Sequence, residues 1–352
     1  MIAIRLPKKQ SGKAWRAMID VGPITLIAPD PIYRVSPAHV EMLTAQGFTF
    51  ALIGDLGYVP SEEPWLENVL TELSKDTALS FVVHVGDLSS PRYGCTDEMQ
   101  ARRLAQFNAL PHPLIYTPGD NDWTDCHEGQ NVKGFDPLER LTKLRTVFFQ
   151  GEQSLGKRTI SLRRQSQDPG FAKYRENVQW DQSGVTFVTL HVPGSNNNLG
   201  RSPEGDTEFA ERNKANMTWL QQAFAHAKTN NSRAVMVMQQ ANMFPEMPPF
   251  PDKPITPSGY ADLRMLLEQE TTAFQKPVIL VNGDSHYFRI DNPFRKNAPP
   301  GQRPPPSLEN FLRVETFGTP NHHWLHVTVE ANDPNVFTFR PRIVAANVIK
   351  RN

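Results

Sequence analysis

Short apolar runs, each closed by a turn of Gly, Asp or Asn, recur along this chain. FTFALIGDLG, FVVHVGDLSS and PLIYTPGDND come first, and GVTFVTLHVPGSNN, AVMVMQQAN and PVILVNGDSH follow later. Runs of this length and β-branched content predict buried strands. Between them the period changes to that of a helix. SEEPWLENVLTELSKD puts Trp65, Leu66, Val69, Leu70 and Leu73 on one face. TDEMQARRLAQF opens on Thr96 as a cap, and PLERLTKLRTVFF continues the pattern. The longest helix is predicted over 204–228, with Trp219, Leu220, Ala223, Phe224 and Ala227 as its core stripe.

Continuous apolar strands alternating with helices predict a mainly parallel sheet covered on both faces. In the C-terminal third, LRVETFG, WLHVTVEA and VFTFRPRIV follow one another without helices, which predicts antiparallel strands forming a second sheet. The expected fold class is α/β, a four-layer αββα sandwich with two facing mixed sheets and the active site at the strand C-terminal ends. Residues 1–47 carry only short apolar runs such as Ile24-Thr25-Leu26-Ile27. They read as an N-terminal extension that adds a strand or arm at a sheet edge, leaving 48–352 as the main domain.

Charge excludes some functions. Lys plus Arg equals Asp plus Glu at 37 each, so no global field favours nucleic acid or an anionic membrane. No apolar run approaches the roughly 20 residues that span a bilayer. MIAIRLPKKQSGKAW has a basic stretch with no apolar segment behind it, which reads as unexported unless a signal peptide was removed. Proline is abundant, 31 residues, where usual composition gives about 18. Much of the excess lies in loops at 243–257 and 292–307, where specificity for a substrate is expected. The oligomeric state is not legible in any pattern.

The candidate chemistry lies at the strand ends. Gly-Asp closes strands at 54–55, 86–87, 119–120 and 283–284, the first three aspartates 32 and 33 residues apart. A single aspartate there caps a helix as readily as it binds anything. Four converging on one cleft repel one another unless cations neutralise them. Two divalent ions about 3.5–4 Å apart would do so and would clamp an in-line phosphoryl displacement.

The order GD, GD, GDN, Gln and GDSH resembles the five-block signature of calcineurin-like metallophosphoesterases over roughly residues 48–330. The segments Tyr116–Cys126 and Asn282–Asp291 are similar to a bacterial subset of that family. The resemblance implies that Asp55 binds a first metal and Asp87 bridges both. Asp120, or Asn121 if the block slips by one, holds the second. Gln239 or Gln240 stands where the family has a lone histidine, and Asp284 and His286 match the last block, with His286 on the first metal. Gly57 replaces a first-block histidine, and Asn121 replaces the histidine that assists the leaving group. His191 and His127, on adjacent loops, are the substitutes for that task. The implied activity is hydrolysis of a small phosphorylated substrate by water activated on metal, with a preference for activated leaving groups. The alternative is a catalytically weak protein of the same fold that binds metal or a phosphorylated ligand. Oxygen ligands favour Mn²⁺ or Mg²⁺, with Fe or Zn²⁺ as further candidates.

Other residues complete the reading. His84 is expected to be buried and hydrogen-bonded beneath the site. Trp123 is expected at the rim, stacking on a leaving group, beside Asp125 and His127. Asn196, Asn197 and Asn198 form either a substrate contact or a plain turn. One of His322, His323 and His326 is a candidate to line the cleft. Cys95 and Cys126 lie beyond neighbouring strand ends, near enough to form a disulfide, which would point to export.

Overall fold

The apolar runs become strands because each is too short for a helix and is flanked by residues that turn the chain. The computed structural model describes residues 2–5, 18, 22–28, 32–36, 47–127, 133–245, 257–294 and 308–348. The first strands, β1 (Ile2–Arg5), β2 (Thr25–Ala28) and β3 (Ile32–Val35), pair antiparallel with one another in a three-stranded sheet of their own. Most of the proline-rich stretches at 243–257 and 292–307 lie outside the described residues.

From residue 48 the chain lays down β4 (Phe48–Ile53), α1 (Glu63–Lys75), β5 (Leu79–His84), α2 (Asp97–Ala109), β6 (Leu114–Tyr116) and α3 (Pro137–Phe148). The Thr96 hydroxyl accepts from Met99 N and caps α2, as the sequence predicts. Then come β7 (Arg163–Arg164), β8 (Val178–Gln182), β9 (Val185–Thr189), α4 (Pro203–Thr229), β10 (Ala234–Met238), α5 (Ala261–Phe274) and β11 (Val278–Asn282). The chain finishes with β12 (Arg289–Asp291), β13 (Phe311–Glu315), β14 (Trp324–Val329) and β15 (Phe337–Arg342).

Two mixed sheets result, ordered β15-β14-β4-β5-β6 and β12-β13-β11-β10-β9-β8-β7. They face each other across a core that includes Phe50, Phe81, Phe187, Met236 and Leu325. Phe50 stacks on Phe81 at 4.7 Å and meets Phe187 edge-on at 5.6 Å. Burying each such ring contributes about 1.5–3 kcal/mol. On one outer face α1, α2 and α3 pack through Leu66, Val69, Leu73, Phe107 and Leu144. On the other, Trp219 and Phe224 of α4 and Leu263 and Leu267 of α5 cover β9, β10 and β11. These are the four layers of an αββα sandwich.

The C-terminal strands correct one expectation. They do not form a second sheet among themselves. β13 runs parallel beside β11, while β14 pairs antiparallel with β4 and carries β15 outside it. The hairpin thereby covers the free edge of β4, and β13 extends the sheet that β9 to β11 began.

The parallel strands β4, β5 and β6 of one sheet, and β9, β10 and β11 of the other, deliver their carboxyl ends to one crevice. Backbone bonds lock the ends together, with Asp55 N donating to Gly86 O (3.0 Å) and Gly283 N donating to Gln240 O (3.0 Å).

Candidate metal centre

The site begins with backbone strain. Asp55, Asp87, Asp284 and His286 all have left-handed backbones, with φ of 57°, 58°, 79° and 60°. For a residue with a Cβ this costs on the order of 1–2 kcal/mol each. Glycines at these strand ends let neighbouring strands close in. A Cβ on Gly283 would lie 1.9 Å from Asp55 Oδ2, and one on Gly119 would lie 2.1 Å from Asp87 Oδ1.

The strained residues meet. One ligand atom each from Asp55, Asp87 and His286 lies within 4.8 Å of the others. Tyr58 places its hydroxyl among them, donating to Asp87 Oδ2 and lying 3.3 Å from Asp55 Oδ1 and 2.9 Å from His286 Nε2. The sequence reading missed Tyr58. Its one signal is position, three residues after Asp55 in GDLGY. His286 is oriented by Nδ1 against the Thr319 carbonyl at 2.9 Å, which leaves Nε2 facing Asp55 at 3.7 Å.

A second group faces the first. Asp120 Oδ1 accepts from Gln240 Nε2 (3.0 Å), and Oδ2 accepts from Ser195 Oγ (2.8 Å). Gln240 Oε1 accepts from Gly194 N (2.6 Å). Of the two glutamines, Gln240 therefore reaches the site, while Gln239 turns its amide to the Ala241 carbonyl (2.9 Å). Asp284 Oδ2 accepts from Asn242 N (2.8 Å), and Asp284 N donates to Asp55 Oδ1 (3.0 Å). Asp122 is a hub behind the acids, accepting from Asp87 N, Leu88 N, Gly119 N and the Tyr116 hydroxyl at 2.6–3.1 Å.

Burial and crowding leave these acids short of positive charge, which a proton or a cation can supply. Burial first, and then the neighbouring carboxylates, push Asp55, Asp87 and Asp284 well above the usual carboxylate range, against backbone N–H groups at Asp55 and Asp284 and the Tyr58 hydroxyl at Asp87, which pull the other way. Burial and then Asp125 raise Asp120 to about 6. Burial lowers His286, so its imidazole is held neutral, the form that ligates. Asp55 Oδ2 is buried with no hydrogen-bond partner among the described residues. Converging carboxylates, a neutral imidazole and a phenol oxygen fit a hard divalent ion.

The remaining candidates fall into place around this centre. Asn121 donates its backbone N–H to Asp87 Oδ1 (3.1 Å), and the sulfurs of a Cys95–Cys126 disulfide lie 3.6 and 3.8 Å from its carbonyl. His191 is not placed to serve a leaving group. It is fully buried, with Nε2 accepting from Trp123 Nε1 (3.0 Å) and Nδ1 on Glu176 (2.9 Å). Burial holds it down at about 4. Trp123 is likewise core rather than rim, because its indole N–H is spent on His191 and Arg212 covers its ring at 5.4 Å. His127 lines a neighbouring cavity of about 730 Å³ that also touches Arg201 and the start of α4. His84 is buried, accepts from Gly86 N (3.2 Å) and is lowered to about 3 by burial. His322, also buried, accepts from Gly57 N (3.1 Å) and supports the first loop from behind. The asparagines form a left-handed turn, with φ of 50°, 56°, 55° and 67° from Ser195 to Asn198.

No known family profile and no curated protein matches this chain. Among solved structures it is similar to GAP50, the anchor in the inner membrane complex of Plasmodium, at 10% identity over 84% of this chain and 89% of that one, with a TM-score of 0.43. It is also similar to the purple acid phosphatase PPD1 from yellow lupin (Lupinus luteus) seeds, at 12% identity over 87% of this chain and 53% of that one, with a TM-score of 0.49. At these identities only a distant likeness in the course of the chain is shared.

Proposed function

We propose that the chain is a divalent-cation-dependent phosphoesterase of the calcineurin-like kind. The observation that carries this reading is the meeting of Asp55, Asp87, His286 and the Tyr58 hydroxyl, three of the four on left-handed backbones. Such strain persists only where the surrounding structure fixes it, and it clusters at functional sites. Asp55, Asp87 and Tyr58 would hold the cation through oxygen, and His286 through Nε2. A cation bound there supplies charge to polarise a phosphoryl oxygen and to acidify a water.

The chain's own groups set the leaving-group preference. Asn121 cannot give up a proton, and His191 is sealed in the core with both ring nitrogens bound. An alkyl ester, whose alkoxide needs protonation, forgoes the factor of about 10²–10⁴ that a positioned acid contributes. An aryl ester needs it far less. The same two facts favour a second reading, a protein of this fold that binds cation and phosphate without turnover.

Reconstitution of cation-stripped protein separates the two. With Mn²⁺ or Mg²⁺ the hydrolase turns over 4-nitrophenyl esters, less well with Zn²⁺, and alkyl esters slowly. Asp87→Asn abolishes both activities. Asn121→His raises the alkyl rate selectively. Cation binding without turnover of any activated ester leaves the second reading, and failure to bind any divalent cation removes both.

A further inference from the structure

The two groups of acids differ in what they are free to do. In the first, the ligand atoms of Asp55, Asp87 and His286 face one another, and among the described residues theirs is the one such cluster within 4.8 Å. Hydrogen bonds alone do not set the second apart, since Asp87 accepts from Asn121 N and Tyr58 as Asp120 accepts from Gln240 and Ser195. The difference is that the Gln240 amide turns its N–H to Asp120 and its oxygen to Gly194 N, presenting a donor where a cation needs an acceptor. Turning the Gln240 amide over would set oxygen against carboxylate and N–H against N–H, so its orientation is fixed by its partners. Nor can the turn yield easily. Arg212 holds the side chain and carbonyl of Asn197, and Tyr260 Oη accepts from Asn197 N (3.1 Å). Gly259 closes it from outside, donating to Asn196 Oδ1 (2.9 Å) and accepting from Asn197 Nδ2 (2.9 Å). Gly194 itself lies so close that a Cβ there would be 2.7 Å from Asp120 Oδ2 and 2.8 Å from Asp284 Oδ1.

We infer that this chain holds one divalent cation, on Asp55, Asp87, His286 and Tyr58, and that Asp120, Gln240, Gly194 and Ser195 form a hydrogen-bonded latch where a second cation was expected. The substrate class follows, on the premise that the site is a phosphoesterase. One divalent charge is balanced by Asp55 and Asp87. Asp120 and Asp284 have no cationic partner among the described residues, whereas Asp125 is paired with Arg201. With no cationic side chain against Asp120 or Asp284, a monoester dianion brings two charges that the single cation must answer alone, and a diester brings one. The site therefore selects phosphodiesters.

Titration of the EDTA-stripped full chain with Mn²⁺, followed by calorimetry and by metal analysis after desalting, reads the stoichiometry directly. The expected result is one ion per chain, lost in Asp55→Asn and kept in Asp284→Asn, whose backbone N–H still reaches Asp55. The paired variant Ser195→Ala/Gln240→Ala frees Asp120 and is expected to add a second, weaker binding step. With Mn²⁺ saturating, kcat/KM for bis(4-nitrophenyl) phosphate should exceed that for 4-nitrophenyl phosphate by about tenfold. Two ions on the parent chain would overturn the inference while leaving the phosphoesterase reading intact, and no ion would overturn both. An unchanged stoichiometry in the paired variant refutes the latch, and a monoester preference with one ion bound refutes the substrate class.

Discussion

Asp120 offers a direct measure of how much destabilising charge this crevice contains. Burial, and then Asp125, raise its carboxyl to about 6 from an ordinary 3.8. Because the folded-state value lies above the unfolded one, the folded chain holds the proton more tightly between the two. The contribution to stability is complete below about pH 4 and is lost as pH rises through about 6. The gap corresponds to about 3 kcal/mol. Asp120→Asn removes the titration while keeping the shape: the amide oxygen accepts from Gln240, and the amide nitrogen donates to Ser195, whose hydroxyl turns to Asp125. In EDTA, the melting difference between variant and parent at pH 5, midway through that window, should be about half of that at pH 8. At pH 8 the variant should be the more stable, with a difference on the order of 5 °C. Thermal unfolding of both chains at the two pH values tests this. Mn²⁺ added to the parent at pH 8 should restore stability, since an ion that binds only the folded state shifts unfolding by mass action. A melting difference between variant and parent that stays constant from pH 5 to pH 8 would refute the reasoning, because Asp120 would then titrate alike in the folded and unfolded chain.

Two further perturbations separate the centre from its scaffold. Gly283→Ala puts a methyl group 1.9 Å from Asp55 Oδ2, so Asp55 must move and Mn²⁺ affinity should fall by about tenfold or more; affinity equal to the parent's would mean that Asp55 is not a ligand. Glu176 is fully buried between Arg145 (2.5 Å) and His191 (2.9 Å). Glu176→Gln leaves Arg145 without its counter-charge and should cost about 3–5 kcal/mol in chemical unfolding. Mn²⁺ stoichiometry should stay the same, because Glu176 stands behind Trp123 and away from the acids.

The sequence by itself determined the elements and the acidic character of the crevice. Strand period, Gly-Asp closures and the Thr96 cap are local signals, fixed by backbone sterics and hydrogen bonding within a few residues. They were enough to locate Asp55, Asp87, Asp120 and Asp284 at strand ends and to predict a sandwich with an acidic crevice. Tertiary structure alone decided which side chains reach one another. Tyr58 meets His286 across 228 positions of chain, a distance that no local pattern encodes. His191 and Trp123 follow a strand and a Gly-Asp turn and resemble site residues in sequence, yet the sandwich closes over them because they satisfy each other's hydrogen bonds in the core. Gln239 and Gln240 are adjacent and chemically identical. Only the direction of the backbone leaving β10 turns Gln240 toward Asp120 and Gln239 back on Ala241. The C-terminal strands show the same division. Their β character was legible, but the sheet each one joined was set by which edge β4 and β11 left open.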